Sequence, residues 1–147
     1  MRSDLTPLLQ SCSRPLLVVP DEANSPMDKM LLAYDGSPKS EEGLFVATYR
    51  AVKYGFPLTV VVGVNDRVSA DTADHARDYL ARHGVTAEFV VEATNDTGTL
   101  ILETAVTHQC NLLIIGGFGK RPFWRIVLGS LVDRMLLEFP QPILISR

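Results

Sequence analysis

Two apolar runs constrain this chain more than any other feature: "PLTVVVGVN" at residues 57–65 and "NLLIIG" at 111–116. Neither alternates with polar residues, so neither reads as a strand with one face in water. Runs of this kind belong to central strands buried on both faces, which points to parallel pairing beneath helices.

The rest of the chain from Lys29 onward fits that arrangement. "KMLLAY" is a short apolar run that stops at Asp35-Gly36. It is followed by a helical pattern in which Ser37 is placed to N-cap, Pro38 takes the first helical position and Gly55 closes the C-terminus. Leu44, Ala47 and Ala51 form an inward stripe at helical spacing. Residues 69–82 read as a second helix ending at Gly84, "VTAEFVVE" as a strand and "TGTLILETAVTHQ" as a helix. After "NLLIIG", residues 129–139 form the last helix and "QPILIS" the closing strand. Strands alternating with helices predict an α/β fold: an open, mostly parallel five-stranded sheet with helices on both faces.

The segment 1–28 precedes this pattern and is too short for a domain of its own. Its "LLQSCSRPLLVVP" echoes "LLEFPQPILISR" at the other end: paired leucines, a polar break, a proline, then an apolar strand. One reading is coincidence. The other makes residues 15–19 an extra N-terminal strand left from a preceding repeat, with 20–28 as linker. Such a strand would cover a sheet edge, in its own subunit or in a neighbour's.

Length and composition narrow the functions. The 147 residues suffice for one domain burying about 68% of the surface its unfolded chain exposes. An apolar content of 46% and a charged content of 21% suit an ordinary soluble domain. The formal charge of −3 offers no support for nucleic-acid binding, which favours a basic stripe. Lys120, Arg121 and Arg125 cluster locally and suit a small anion better than a duplex. No stretch approaches the roughly 20 apolar residues that span a bilayer, and "QSCSR" interrupts the N-terminus before a signal peptide forms. The expectation is a cytoplasmic protein. Cys12 and Cys110 read as small, partly buried thiols rather than a disulfide scaffold.

The segment "IIGGFGKRPFWRIVLGS", residues 114–130, has the most specific chemistry. Glycines directly after a buried strand let the backbone approach an anion without Cβ clashes. Gly129 and Ser130 then open a helix whose free N–H groups favour negative charge. In an open α/β sheet, ligands gather beyond the C-terminal strand ends at the switch in strand order. A plain turn remains the competing reading, with Ser130 an ordinary N-cap. Lys120 and Arg121 either reach a β- or γ-phosphate or are solvated loop charges. Pro122, Phe123 and Trp124 stiffen the loop. "GGFGKR" is not a Walker A sequence, lacking its full spacing and the Ser or Thr after lysine.

Gly116, Gly119, Gly129 and Ser130 reproduce the spacing Gly-x2-Gly-x9-Gly-Ser/Thr, and "LLAYDGS" precedes it at the first strand. In these features residues 29–147 strongly resemble the universal stress protein family, and the N-terminal extension looks like the tail of the first domain in a tandem member. The resemblance implies a Rossmann-like, adenine nucleotide alpha hydrolase-like fold. It implies ATP or AMP as ligand, with Mg2+ accompanying ATP, held by Gly116, Gly117, Gly119, Lys120, Arg121, Gly129 and Ser130. It also implies Asp35 near the adenosine and the Val64 backbone at the adenine edge. Read alone, Asp35 is equally a turn acid and Val64 a core residue. The family commonly dimerises through the closing edge strand, here 141–146, so a homodimer is expected through that strand, the N-terminal strand, or both.

Little in the chain suggests catalysis. No Gly-x-Ser-x-Gly elbow occurs. His75, His83 and His108 fall on helices or their ends without a metal-ligand pattern, and read as surface or capping residues. His75 could share a helix face with Asp71 or Asp78. Asp35 is the one obvious carboxylate for a metal near phosphates. The leading expectation is a nucleotide-binding stress-response regulator whose nucleotide state changes assembly or its affinity for a regulatory partner. The alternatives are a nucleotide-independent dimeric binding module and a slow ATPase.

Overall fold

A computed structural model describes residues 14–117 and 131–146. Its element order is β1 (Leu16–Val18), β2 (Met30–Ala33), α1 (Pro38–Tyr54), β3 (Leu58–Val64), α2 (Thr72–Arg82), β4 (Glu88–Ala93), α3 (Thr97–Thr107), β5 (Leu112–Gly116), α4 (Leu131–Glu138) and β6 (Ile143–Ser146). The strands form one six-stranded sheet in the order β1-β6-β5-β2-β3-β4. The five strands from β2 to β6 are parallel to their neighbours, while β1 lies antiparallel on β6. This is the expected five-stranded core with an N-terminal strand added at one edge.

Burial on both faces explains the unbroken apolar runs. Met30, Leu32, Val60, Val62, Leu112 and Ile114 point into a core shared with Leu44 and Ala47 of α1 and Ala76 and Leu80 of α2. Their neighbours Leu31, Val61, Leu113 and Ile115 point the other way, into a core shared with Ile101 of α3 and Met135 of α4. A polar residue at either set of positions would lose its water on one side or the other.

The caps of α1 are the expected ones. Ser37 Oγ accepts from Ser40 N, Pro38 opens the helix, and Gly55 closes it at φ 69°. The second helix starts later than its pattern predicts, at Thr72 rather than residue 69. Thr72, Ala73 and Asp74 donate their N–H groups to Ser69, Ala70 and Asp71, three residues back, so the entry is a tighter turn than an α-helix. At the other face Arg134 of α4 reaches across to the N-terminus of α3. It donates to Asp96 and, at 2.9 Å, to Thr99 Oγ1.

A crossover decides where a ligand could sit. The chain leaves β2 in one direction to β3 and β4, then returns past β2 to lay down β5 and β6. The switch in direction lies between β2 and β5, and the helices that follow them, α1 and α4, pack on opposite faces of the sheet.

Candidate functional site

The structure brings four of the expected site residues to one end of three adjacent strands. Leu32 of β2 pairs with Ile114 of β5, so Asp35 and Gly117 leave neighbouring strands at the same height. Val64 ends β3 on the other side of β2, where Ala33 pairs with Val61. Asp35, Val64, Gly116 and Gly117 therefore flank the switch point. Gly119, Lys120, Arg121, Gly129 and Ser130 lie outside the described residues, as do Cys12, Phe123 and Trp124.

Asp35 forms a local turn. Its Oδ1 accepts from Ser37 N at 2.9 Å, and the following Gly36 adopts φ 80°, which suits a residue without Cβ. The carboxylate remains exposed. Val64 is half-buried, and its carbonyl accepts from Thr94 N at 3.0 Å. Beyond it, Asn65 Oδ1 accepts from the N–H groups of Arg67 and Val68 and folds the loop back.

Gly116 has a packing role that its place in a ligand motif would not disclose. A Cβ there would come within 2.8 Å of Lys39 Cβ and 3.1 Å of Ser40 N. The first turn of α1 thus passes directly over the end of β5. Gly43, one helical turn further on, is equally tight: its Cβ would meet Leu32, Ile114 and Ser146 at 3.1–3.4 Å. Ser146 ties these parts together, with Oγ 2.9 Å from Lys39 O and 3.2 Å from Ile115 O. Its backbone carbonyl accepts from Gly117 N at 2.8 Å. Sequence reasoning passed over Gly43 and Ser146, though a glycine inside a helix and a serine closing a buried strand are both visible signals.

A second polar group stands at the same end of the sheet. Buried Tyr34 donates its hydroxyl to Glu41 Oε1, and Glu41 Oε2 lies 3.3 Å from His75 Nε2. The chain of three joins β2's end to α1 and α2. Burial, and then the Glu41 carboxylate, hold the Tyr34 hydroxyl well above the usual phenol range, so it stays a neutral donor. His75 thus faces Glu41 rather than serving only a neighbour on its own helix. His83 and His108 are the C-caps of α2 and α3. Among the described residues, no group of three or more His, Cys, Asp or Glu could hold a metal ion.

Cys110 is buried and unbridged, its thiol pushed up by desolvation. It lies outside the switch-point group, beside the start of β2, with Sγ 3.8 Å from Met30 O. No described helix is long and apolar enough to cross a membrane.

The sequence pattern of the universal stress protein family matches residues 26–147. This chain belongs to the universal stress protein family. No curated protein matches it. A solved universal stress protein from Archaeoglobus fulgidus DSM 4304 has a TM-score of 0.83 at 19% identity, over 97% of this chain and 52% of that one. The present chain spans about half the length of that relative. A universal stress protein in complex with cAMP matches with TM-score 0.68 and 19% identity, over 82% of this chain and 96% of its own. The universal stress protein from Archaeoglobus fulgidus in complex with dAMP gives 0.63 and 19%, over 81% and 97%. These likenesses establish the fold. In this universal stress protein, the switch-point group stands where an open α/β sheet places its ligands.

Proposed function

We propose that this universal stress protein binds an adenine nucleotide at the C-terminal ends of β5, β2 and β3, and that the nucleotide state modulates assembly or partner binding. The observation that carries this reading is the convergence of Asp35, Val64, Gly116 and Gly117 on the switch point, immediately before the intact spacing to Gly119, Gly129 and Ser130. Relatives of the same fold in complex with cAMP and dAMP support the ligand class. ATP or AMP is the proposed ligand. Gly116, Gly117, Gly119, Gly129 and Ser130 would cradle its phosphates, with Lys120 and Arg121 reaching the outer ones. Exposed Asp35 suits a ribose hydroxyl or, with ATP, the Mg2+ side. Its Oδ1 already holds Ser37 N, so one carboxylate is a thin metal site and hydrolysis is at most slow.

The proposed setting is the cytoplasm, without nucleic-acid or membrane partners. β1 is read here as a remnant of a preceding repeat's closing strand, on the echo between residues 8–20 and 136–147.

One observation favours a second reading, a nucleotide-independent binding module. Gly116 is required by the approach of Lys39 whether or not a phosphate ever binds. Mass spectrometry of nucleotide released from protein denatured after gentle, magnesium-containing purification separates the two, with Gly119→Val processed alongside. ATP or AMP near one per chain, lost in the variant, is the expected result. A chain that is empty, and that also fails to bind added ATP up to millimolar concentration, would leave the binding module.

A further inference from the structure

Helix α1 carries two stripes. Leu44, Ala47 and Ala51 face the core. On the opposite side Glu42, Phe45, Tyr49 and Val52 recur at alternating intervals of three and four residues, and all four are exposed. That is the spacing of a coiled-coil seam, here turned outward. Phe45, Tyr49 and Val52 are 42%, 59% and 58% exposed. With Tyr54 they make four of the eight large apolar side chains exposed among the described residues, all on one helix. Tyr79 of α2 widens the surface, its ring centroid 5.2 Å from that of Phe45 and 4.4 Å from that of His83. Apolar surface concentrated in this way marks an interaction site.

The charges at the two ends of the seam say what fits it. Glu42 stands near its start and Lys53 at its end, and neither makes an ion pair among the described residues. Lys53 Nζ donates to Tyr49 Oη at 3.0 Å, which holds the ammonium on the stripe. A seam of one sign would fit a partner of the other. Opposite signs at its two ends fit the same helix reversed.

We propose that the outward seam of α1 is a self-docking surface, on which a second copy of this chain lays its own α1 antiparallel. Pairing Phe45 with Tyr49 of the second copy brings Glu42 to that copy's Val52 and to the neighbouring Lys53. The two-fold repeats each contact, so both ends gain a Glu–Lys pair and both aromatics are covered. Such a contact is isologous and closes as a dimer. A parallel pair would set Glu42 on Glu42 and Lys53 on Lys53, which costs free energy at both ends. The surface lies apart from β6, whose edge β1 occupies, and the inference does not rest on nucleotide binding. A single helix pair falls at the small end of interface sizes, so the dimer is weak and forms in the micromolar-to-millimolar range.

Sedimentation equilibrium of the full chain over that concentration range tests this. The wild type should climb from its chain mass of 16.2 kDa toward twice that value. Glu42→Lys and Lys53→Glu each set like charges against one another at both ends, and each should weaken the dimer by about tenfold or more. Mixed in equal amounts, the two variants pair lysines with glutamates and should recover the dimer that neither forms alone. Circular dichroism checks that each is folded. Should either charge variant not fold, Tyr49→Ser carries the test, with loss of the dimer expected. A wild type that stays monomeric up to millimolar concentration would overturn the proposal. So would a dimer indifferent to these substitutions, which would place the contact on another surface, or folded single variants that remain monomeric when mixed.

Discussion

Gly116 ends β5 so close to Lys39 that a Cβ on the glycine would stand 2.8 Å from the lysine's own Cβ and 3.1 Å from its backbone carbon. Backbone on the far side cannot swing away as a long side chain can. Gly116→Ala should therefore destabilise the fold by about 1–3 kcal/mol, the usual range for overpacking. Urea unfolding monitored by circular dichroism measures it. A variant as stable as wild type would mean that α1 is free to shift. The relationship also bears on the proposed nucleotide site: Gly116 serves the fold first, so loss of ligand in its variants does not identify a phosphate contact.

Ser146 is the polar counterpart of that packing. Its hydroxyl is 1% exposed and lies within hydrogen-bond distance of Lys39 O and Ile115 O, joining the end of β6 to α1 and β5. Ser146→Ala should lower stability by about 0.5–1.5 kcal/mol, the usual net worth of one such bond. Equilibrium unfolding of the variant reads this directly, and its midpoint should fall with an unchanged slope.

What could be read in the sequence was whatever acts locally or repeats. The central strands were legible because Leu31 and Leu32, or Ile114 and Ile115, face opposite cores and so are both apolar. The caps of α1 were legible because Ser37, Pro38 and Gly55 act on their nearest neighbours. Asp35 and Val64 were named as site residues only through the family resemblance, since alone one reads as a turn acid and the other as core. The contact of Gly116 with Lys39 joins elements far apart in the chain, and so does the link of Tyr34, Glu41 and His75. No local pattern encodes either. The late start of α2 went unseen because "SADTADHARD" suits a tight turn as well as a helix.

Tyr34 makes the fold sensitive to alkali. Its hydroxyl proton is held more tightly in the folded chain than in the unfolded one, first by burial and then by Glu41. The folded state therefore binds more protons once pH rises past the ordinary phenol value of about 10, and stability falls from there upward. Below that value the contribution is fully present. Tyr34→Phe should flatten the part of the stability-versus-pH curve above about pH 10 while lowering stability at neutral pH through the lost bond to Glu41. Denaturant midpoints at a series of alkaline pH values provide the comparison. An unaltered slope in the variant would remove Tyr34 as the cause.

Cys110 should behave as an inert thiol. Burial raises its pKa, and the residue is 9% exposed among core side chains. Thiolate is the reactive form, so alkylation should be slow in the folded chain and rise on unfolding. In a Cys12→Ser background, mass spectrometry after a brief iodoacetamide pulse should find Cys110 unmodified in buffer and modified in denaturant. Rapid labelling in buffer would indicate that the start of β2 opens locally.

Asn111 connects the linker to the core, and so governs how firmly β1 is delivered to β6. Its side chain accepts from Lys29 N and donates to Asp28, while its carbonyl accepts from Ser25 Oγ. Met27, between these partners, adopts φ 54°, and its carbonyl accepts from Arg50 Nη2 at 2.7 Å. A left-handed non-glycine residue is held there by its surroundings rather than by its own preference. Asn111→Ala removes the two side-chain bonds and frees the segment to relax. Stability should drop by about 1–3 kcal/mol. The amides of β1 should also exchange faster than those of β3, because the loosened tether lowers β1's effective concentration at the β6 edge. Hydrogen exchange followed by mass spectrometry resolves the two strands. Equal acceleration throughout the sheet would assign Asn111 to global stability, with no special hold on the N-terminal strand.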